Sequence, residues 1–263
     1  MASMGGIKGN IFNNSIKMVK KLLLFSSFII LLFSCNKVID AVDEVRMNKK
    51  ETITYDDFEA IRNDYDIKLY YDNDKELMTG HFVVVYQGKP SEEFQTKRGF
   101  LNGVYASYNA NGQLTKGYNY KNGRQDGIQR EFYESGELLS EVGYEKGKMV
   151  GEKVIYDKFG DVKAKLKMEN GVEYKRYYKD GKVAIAEFKK NWEGKELDMM
   201  VFYDAFENIQ FSFGKSNHPN EKNIFYVFDA NMELSDTVDV TIDPQKASYY
   251  LNLIQQSTSL VME

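Results

Sequence analysis

Glycine recurs in this chain at one fixed interval. Gly103, Gly127 and Gly151 lie 24 residues apart, as do Gly112, Gly136 and Gly160, and again Gly123, Gly147 and Gly171. Tyr108, Phe132 and Tyr156 each stand four residues before a glycine of the second set, and Leu114, Leu138 and Val162 stand two after it. Tyr120, Tyr144 and Met168 keep the same period. A unit this short cannot enclose a core of its own, so its apolar side must be completed by the units beside it. The pattern extends in worn form. Gly181, with Tyr177 before it and Val183 after it, follows at a shortened interval of 21. Tyr203 to Ile209 and Phe228 to Leu234 echo the motif without its glycine, and Gly80 precedes Gly103 by 23 residues. About six units therefore cover residues 77–240.

Within a unit the apolar residues alternate. Val162, Ala164, Leu166 and Met168 are interleaved with Lys163, Lys165 and Lys167, and Ile209, Phe211 and Phe213 keep the same parity. Period two describes a strand with one wet face. Asn111-Gly112, Asn122-Gly123, Asn170-Gly171 and Asp180-Gly181 are turn dipeptides, because glycine supplies positive φ at little steric cost. Each unit thus holds two short strands and two turns, with Gly103, Gly112, Gly123, Gly127, Gly136, Gly147, Gly151, Gly160, Gly171 and Gly181 read as the turn formers. No segment between Gly80 and Val240 keeps a 3.6-residue period for three turns. The expected fold is all-β: an elongated, single-layer antiparallel meander of tandem two-stranded hairpin repeats, with short terminal helices. One helix is expected after Thr54 in an N-terminal cap over 53–76. The other is expected after Asp243-Pro244 in a C-terminal cap helix and tail over 241–263.

The N-terminus reads as an address. From Met18 a short basic stretch leads into Leu22 to Phe33, apolar except for Ser26 and Ser27, and then Ser34-Cys35. That is the layout of a secretory signal, and the run is shorter than the ~20 residues a membrane-spanning helix needs. The four residues ending in Cys35, the chain's one cysteine, resemble the lipobox of bacterial lipoproteins. The resemblance implies cleavage before Cys35 and acylation of its thiol, with residues 18–34 as signal peptide and 35–52 as a tether. The expected location is the bacterial cell envelope, lipid-anchored at the outer membrane or surface. Residues 1–17 stand upstream of this signal and are set aside. Losing residues 1–34 removes four lysines and takes the net charge from −4 to −8. So acidic a product lacks the basic surface by which proteins bind nucleic acid.

Gly127 to Leu138 and Gly143 to Glu152 resemble the MORN-variant repeat, also found in YwqK-type antitoxin-like proteins. A glycine opens the unit, an aromatic pair precedes a second glycine, and a tyrosine precedes a third. The match is specific over residues 99–171 and looser over 77–98 and 172–240. It implies a non-enzymatic ribbon used for protein or envelope binding. An immunity or antitoxin-type role is the alternative, and a glycan-binding or glycan-acting role a distant one.

The reactive side chains fit binding better than catalysis. His81 and His218 are 137 residues apart with no cysteine near them, so no zinc spacing exists. Asn231, Asp236 and Asp239 do not make a calcium loop. Asp56/Asp57 and Glu92/Glu93 are adjacent pairs that a strand would point to opposite faces. No metal site, catalytic residue or cofactor is assigned. The candidate binding face is the set of aromatic columns: Tyr108, Tyr118, Tyr120, Phe132, Tyr144, Tyr156 and Tyr177. The plainer reading of the same residues is cross-strand pairs that hold a thin sheet together.

Overall fold

The computed structural model describes residues 43–262. The signal-like segment, Cys35 and the first part of the tether lie outside the described residues. The described chain forms one open, mostly antiparallel sheet of 18 strands. Its body is a meander: β4 (Gly80–Tyr86), β5 (Lys89–Lys97), β6 (Phe100–Tyr108), β7 (Leu114–Lys121), β8 (Arg124–Gln125), β9 (Gly127–Phe132), β10 (Leu138–Glu145) and β11 (Lys148–Tyr156). It continues through β12 (Val162–Glu169), β13 (Val172–Lys179), β14 (Lys182–Trp192), β15 (Lys195–Tyr203), β16 (Ile209–Ser216), β17 (Ile224–Phe228) and β18 (Leu234–Asp239). Among the described residues no helix is long and apolar enough to cross a membrane.

Opposed residues of paired strands share a face, so the registers trace two faces along the ribbon. Face A carries Phe82, Phe94, Tyr105 and Tyr118, then Glu131, Ser140, Ile155, Ala164, Tyr177, Ile185 and Phe202. Face B carries Glu93, Ala106, Arg130, Glu141, Val154, Lys165, Arg176, Ala186, Val201 and Phe228.

Both caps sit on face A. At the N-terminal end a hairpin of β2 (Phe58–Arg62) and β3 (Lys68–Asp72) lays Phe58 and Tyr70 on Phe94, with ring centroids 5.4 and 4.8 Å apart. At the other end the C-terminal helix, Pro244–Met262, packs Ala247, Tyr250, Leu253 and Ile254 against Ile185, Phe202, Phe213 and Val227. Among the described residues face B has its own core only there. Leu197, Met199, Tyr226 and Phe228 cluster on it, and Trp192, at the tip of the β14–β15 hairpin, lies 5.0 Å from Tyr226 and 5.6 Å from Phe228.

Several expectations are corrected. The tether does not run to residue 52: residues 43–48 are helical, and β1 (Lys50–Ile53) pairs in parallel with β4. The capping box at Thr54 and Asp57 is present, but it closes a single 3-10 turn. Phe58 then enters a strand, because pairing with β3 satisfies that backbone instead. The N-terminal cap is a hairpin rather than a helix.

All ten repeat glycines have positive φ, but they do two jobs. Gly103 and Gly151 lie inside strands and Gly127 opens one, so these three do not reverse the chain. Each sits in a bulge where its strand carries two residues more than its partner: Tyr105 to Leu101 opposite Phe94 to Thr96, Arg130 to Gln125 opposite Gly117 to Tyr120, and Val154 to Val150 opposite Glu141 to Gly143. Glycine suits a bulge residue held in the left-handed region. In two of the bulges a glutamine amide replaces the interrupted ladder. Gln95 accepts from Val104 N at 2.9 Å; Gln129 accepts from Asn119 N and donates back to Asn119 O, both at 3.0 Å. Strand β13 pairs with β12 without a bulge, and the next turn is tighter by one residue. Two bulge residues and one turn residue account for the interval of 21.

Candidate binding surfaces

The aromatic columns do not make one ledge. Tyr118, Tyr120, Tyr144 and Tyr177 lie on face A, whereas Tyr108, Phe132 and Tyr156 lie on face B. The cause is a one-residue bulge after each long turn, which pairs Tyr108 with Leu114, Phe132 with Leu138 and Tyr156 with Val162. Tyr178, paired with Val183 across the same kind of bulge, is the structural counterpart of Tyr156; Tyr177 belongs to the other face.

Most of these phenols are engaged within the sheet. Tyr118 donates to Glu131 at 2.5 Å, Tyr156 to Glu141 at 3.2 Å, Tyr177 to Glu187 at 3.1 Å and Tyr108 to Glu93 at 3.3 Å. Burial, reinforced by the carboxylate each one faces, holds the Tyr118, Tyr156 and Tyr108 hydroxyls above the ordinary phenol range. The hydrogen bond from Tyr118 keeps the Glu131 carboxyl below its usual range. These pairs stitch neighbouring strands across a thin sheet.

His81 and Glu93 also meet. His81 Nε2 lies 2.6 Å from Glu93 Oε1, and Lys50 Nζ lies 2.9 Å from the same oxygen. Burial alone would raise the Glu93 carboxyl, but hydrogen bonds from Lys50 and His81 outweigh it and bring it below the ordinary value. This cluster fastens β1 to β4 and β5. His218 caps a 3-10 turn by accepting from Asn220 N. Among the described residues no group of histidine, cysteine and carboxylate side chains is placed to hold a metal ion.

Side chains without an internal role stand on the long turns. In four turns of the meander an Asp or Asn accepts from the backbone N–H two and four residues on: Asn109, Asp157, Asp204 and Asp229. The third turn position is Asn111, Ser135 and Asn231 in three repeats, and Phe159 and Phe206 in two others. Phe159 is 92 % exposed and Phe206 82 %. Asn111 N and Asn231 N make the same hydrogen bond as Phe159 N and Phe206 N, so the turn does not require an aromatic ring. Lys182 reaches over the Phe206 ring at 5.9 Å and donates to Ala205 O at 2.7 Å. The tighter Asp180-Gly181 turn stands between these two tips. Against it lies an open hollow of about 870 Å³, lined by Phe159, Lys158, Tyr133, Lys165 and Tyr178. These two phenylalanines stand outside the periodic columns; the signal was that polar residues serve at the same turn position elsewhere.

No known protein family model matches the chain, and no curated protein matches it.

Proposed function

We propose that this protein is a bacterial envelope lipoprotein, anchored through an acylated Cys35, whose ribbon of MORN-variant-type repeats binds a protein partner and performs no catalysis. The observation that carries the binding reading is the pair of exposed rings at Phe159 and Phe206, in turns that other repeats close with Asn or Ser. Aromatic side chains held on rigid turns present large contact area at small conformational cost, which is why aromatics dominate binding hot spots. The tyrosine columns are the frame for these tips rather than the contact itself, because the hydroxyls of Tyr108, Tyr118, Tyr156 and Tyr177 are already committed to carboxylates within the sheet. The export reading rests on the basic segment, the apolar run and Cys35 in the sequence.

Two measurements test the two parts separately. A photo-crosslinking residue is placed at position 159, 206 or 111 of the full chain in living cells. Binding through the tips gives one discrete adduct from 159 and 206 and none from 111; equal patterns from all three positions remove that surface. Metabolic labelling with a palmitate analogue is expected to mark the wild type and to vanish in Cys35→Ala, and label surviving that change removes the anchor.

A further inference from the structure

The C-terminal helix covers only part of face A. Beside it, near the strand ends joined by the 170–171, 193–194 and 217–223 connections, the sheet and the helix flank enclose an open cavity of about 820 Å³. Met200, Phe213 and Phe225 form its floor, and Leu251 and Ile254 of the helix form a wall. Its charged rim balances overall but is segregated. On the β13–β15 side Glu187 stands opposite Lys175 in the ladder and accepts from Tyr177, and the Tyr177 hydroxyl first, then Glu187 and Glu173, hold the Lys175 ammonium above its ordinary range. Lys189 is bound to Glu196 at 2.7 Å and lies 3.9 Å from Asp198. On the β16–β17 side stand Lys215 and Lys222. Among the described residues neither has a carboxylate within ion-pair distance: Asp198, opposite Lys215 in the register, turns towards Lys189, and Glu221, beside Lys222, is taken by Lys195 at 2.6 Å. The result is an apolar trough with two uncommitted cations at one end.

We propose that this cavity binds a single-chain amphiphile with a carboxylate headgroup. The chain lies along Met200, Phe213, Leu251 and Ile254, and the carboxylate lies between Lys215 and Lys222. The volume falls within the ~300–1,000 Å³ of sites that bury most of a small ligand, and such sites pair apolar walls with a few placed polar groups. A carboxylate gains charge-assisted hydrogen bonds from both lysines that a neutral head does not, and a cationic head would be repelled by them.

The test uses the full chain in nanodiscs of zwitterionic lipid and a photoactivatable long-chain fatty acid as probe. Label is expected in peptides spanning Phe213 to Lys215 or Leu251 to Ile254. Unlabelled palmitate should compete for it, and the alcohol of equal chain length should compete about five- to tenfold more weakly, since it forgoes the same charge contacts. Lys215→Gln with Lys222→Gln, both at exposed positions, should lower labelling about five- to tenfold while leaving the melting temperature unchanged, as expected for solvent-screened charge contacts. Ile254→Trp, which narrows the trough, should abolish it. Labelling that ignores all three substitutions, equal competition by the alcohol, or label spread evenly over the ribbon overturns the assignment.

Discussion

The same hairpin unit is built in two ways along this ribbon. Over residues 99–171 each unit bends at a glycine bulge, and face B carries Arg130, Glu141 and Lys165. Over residues 172–240 the β12–β13 and β14–β15 ladders run without that bulge, β14 lengthens to 11 residues, and face B becomes a core of Leu197, Met199, Val201 and Phe228. The turns differ in their closing residue, with Gly112, Gly136 and Gly160 in the first half giving way to Glu207 and Met232 at positive φ in the second. Asn109 and Asp157 nevertheless clamp first-half turns as Asp204 and Asp229 clamp later ones. Of these turns only the Gly136 one, whose first residue is Tyr133, does without that clamp, whereas Glu207 at φ 64° stands in the place of glycine in a clamped turn. One half is specified by local backbone geometry and cross-strand polar pairs. The other is specified by burial on both faces, which tolerates poorer turn residues. Loss of the repeat glycines is therefore no sign that the repeat has ended; the means of stabilisation has changed.

The largest expected effect compares one residue type at one repeat position. Phe228 is fully buried, edge-on to Trp192, and Phe132 occupies the same turn-entry position half-exposed. Phe228→Ala should cost about 3–5 kcal/mol, as for other buried aromatics. Phe132→Ala should cost only part of the ~1.5–3 kcal/mol that full burial of such a side chain is worth. Denaturant unfolding of the two variants measures this, and equal losses would erase the distinction between the halves.

Two glycines sharpen it further. Gly214 has ordinary φ, but a Cβ there would lie 2.9 Å from both Leu197 Cδ1 and Met199 Sδ. Gly214→Ala should therefore cost about 1–3 kcal/mol by overpacking. Gly112, at φ +81°, has nothing within 4 Å of a Cβ, and Gly112→Ala should cost about 1–2 kcal/mol through left-handed strain alone. The mechanisms separate in a double-mutant cycle with Met199→Ala. Coupling is expected for Gly214 and absent for Gly112; coupling at both would mean that space, not φ, governs the repeat turns.

The period, the alternation and the strand-to-turn grammar were legible in the residues, because turn dipeptides and period-two patterning are local. Four things were not. A glycine at positive φ serves a reversal or an in-strand bulge equally well, so Gly103, Gly127 and Gly151 looked like turns; only the partner strand's residue count separates the two. The bulge after each long turn shifts register by one residue, and such a shift moves a side chain to the other face, which is how one apparent aromatic ledge became two. Thr54 and Asp57 formed their capping box, yet the choice between helix and strand for Phe58 to Arg62 was made by a distant partner in β3. Phe159 and Phe206 stood outside the periodic columns, and only the polar residues at the same turn position in other repeats marked them as exposed.

A smaller effect concerns what holds the C-terminal cap in place. Asp236 accepts from Lys246 Nζ at 2.7 Å and from Tyr250 Oη at 3.0 Å, tying β18 to the helix. The hydrogen bond from Lys246 holds the Asp236 carboxyl below its usual value, and the same bond raises the Lys246 ammonium. A depressed carboxyl contributes stability that is present above its unfolded value of roughly 3.9 and is lost as pH falls through the folded one. A raised ammonium contributes stability that is present below roughly 10.4 and is lost as pH rises through its folded value. Amide protection of the helix should therefore be flat from about pH 5 to 9 and fall at both extremes. Asp236→Asn should remove the acid arm, and an unchanged acid profile in that variant would take the latch away.

The smallest effect lies in the tight turns, where the two halves agree. Asn122, Lys146, Asn170, Asp180 and Glu193 all take φ near +50° before a glycine. Asn tolerates that conformation better than Lys, because its short amide bonds locally and avoids the Cβ clash a longer chain cannot relieve. Lys146 N donates to Asp126 through the backbone, so Lys146→Asn keeps that bond and gives up only an exposed 3.8 Å contact with Glu145. The variant should gain a few tenths of a kcal/mol to about 1 kcal/mol, within the range of other compatible turn substitutions. The same change at Glu193 should gain equally if these turns are local devices. A gain at 146 with none at 193 would mean that the two-faced core, and not the turn, already sets the conformation of the β14–β15 hairpin.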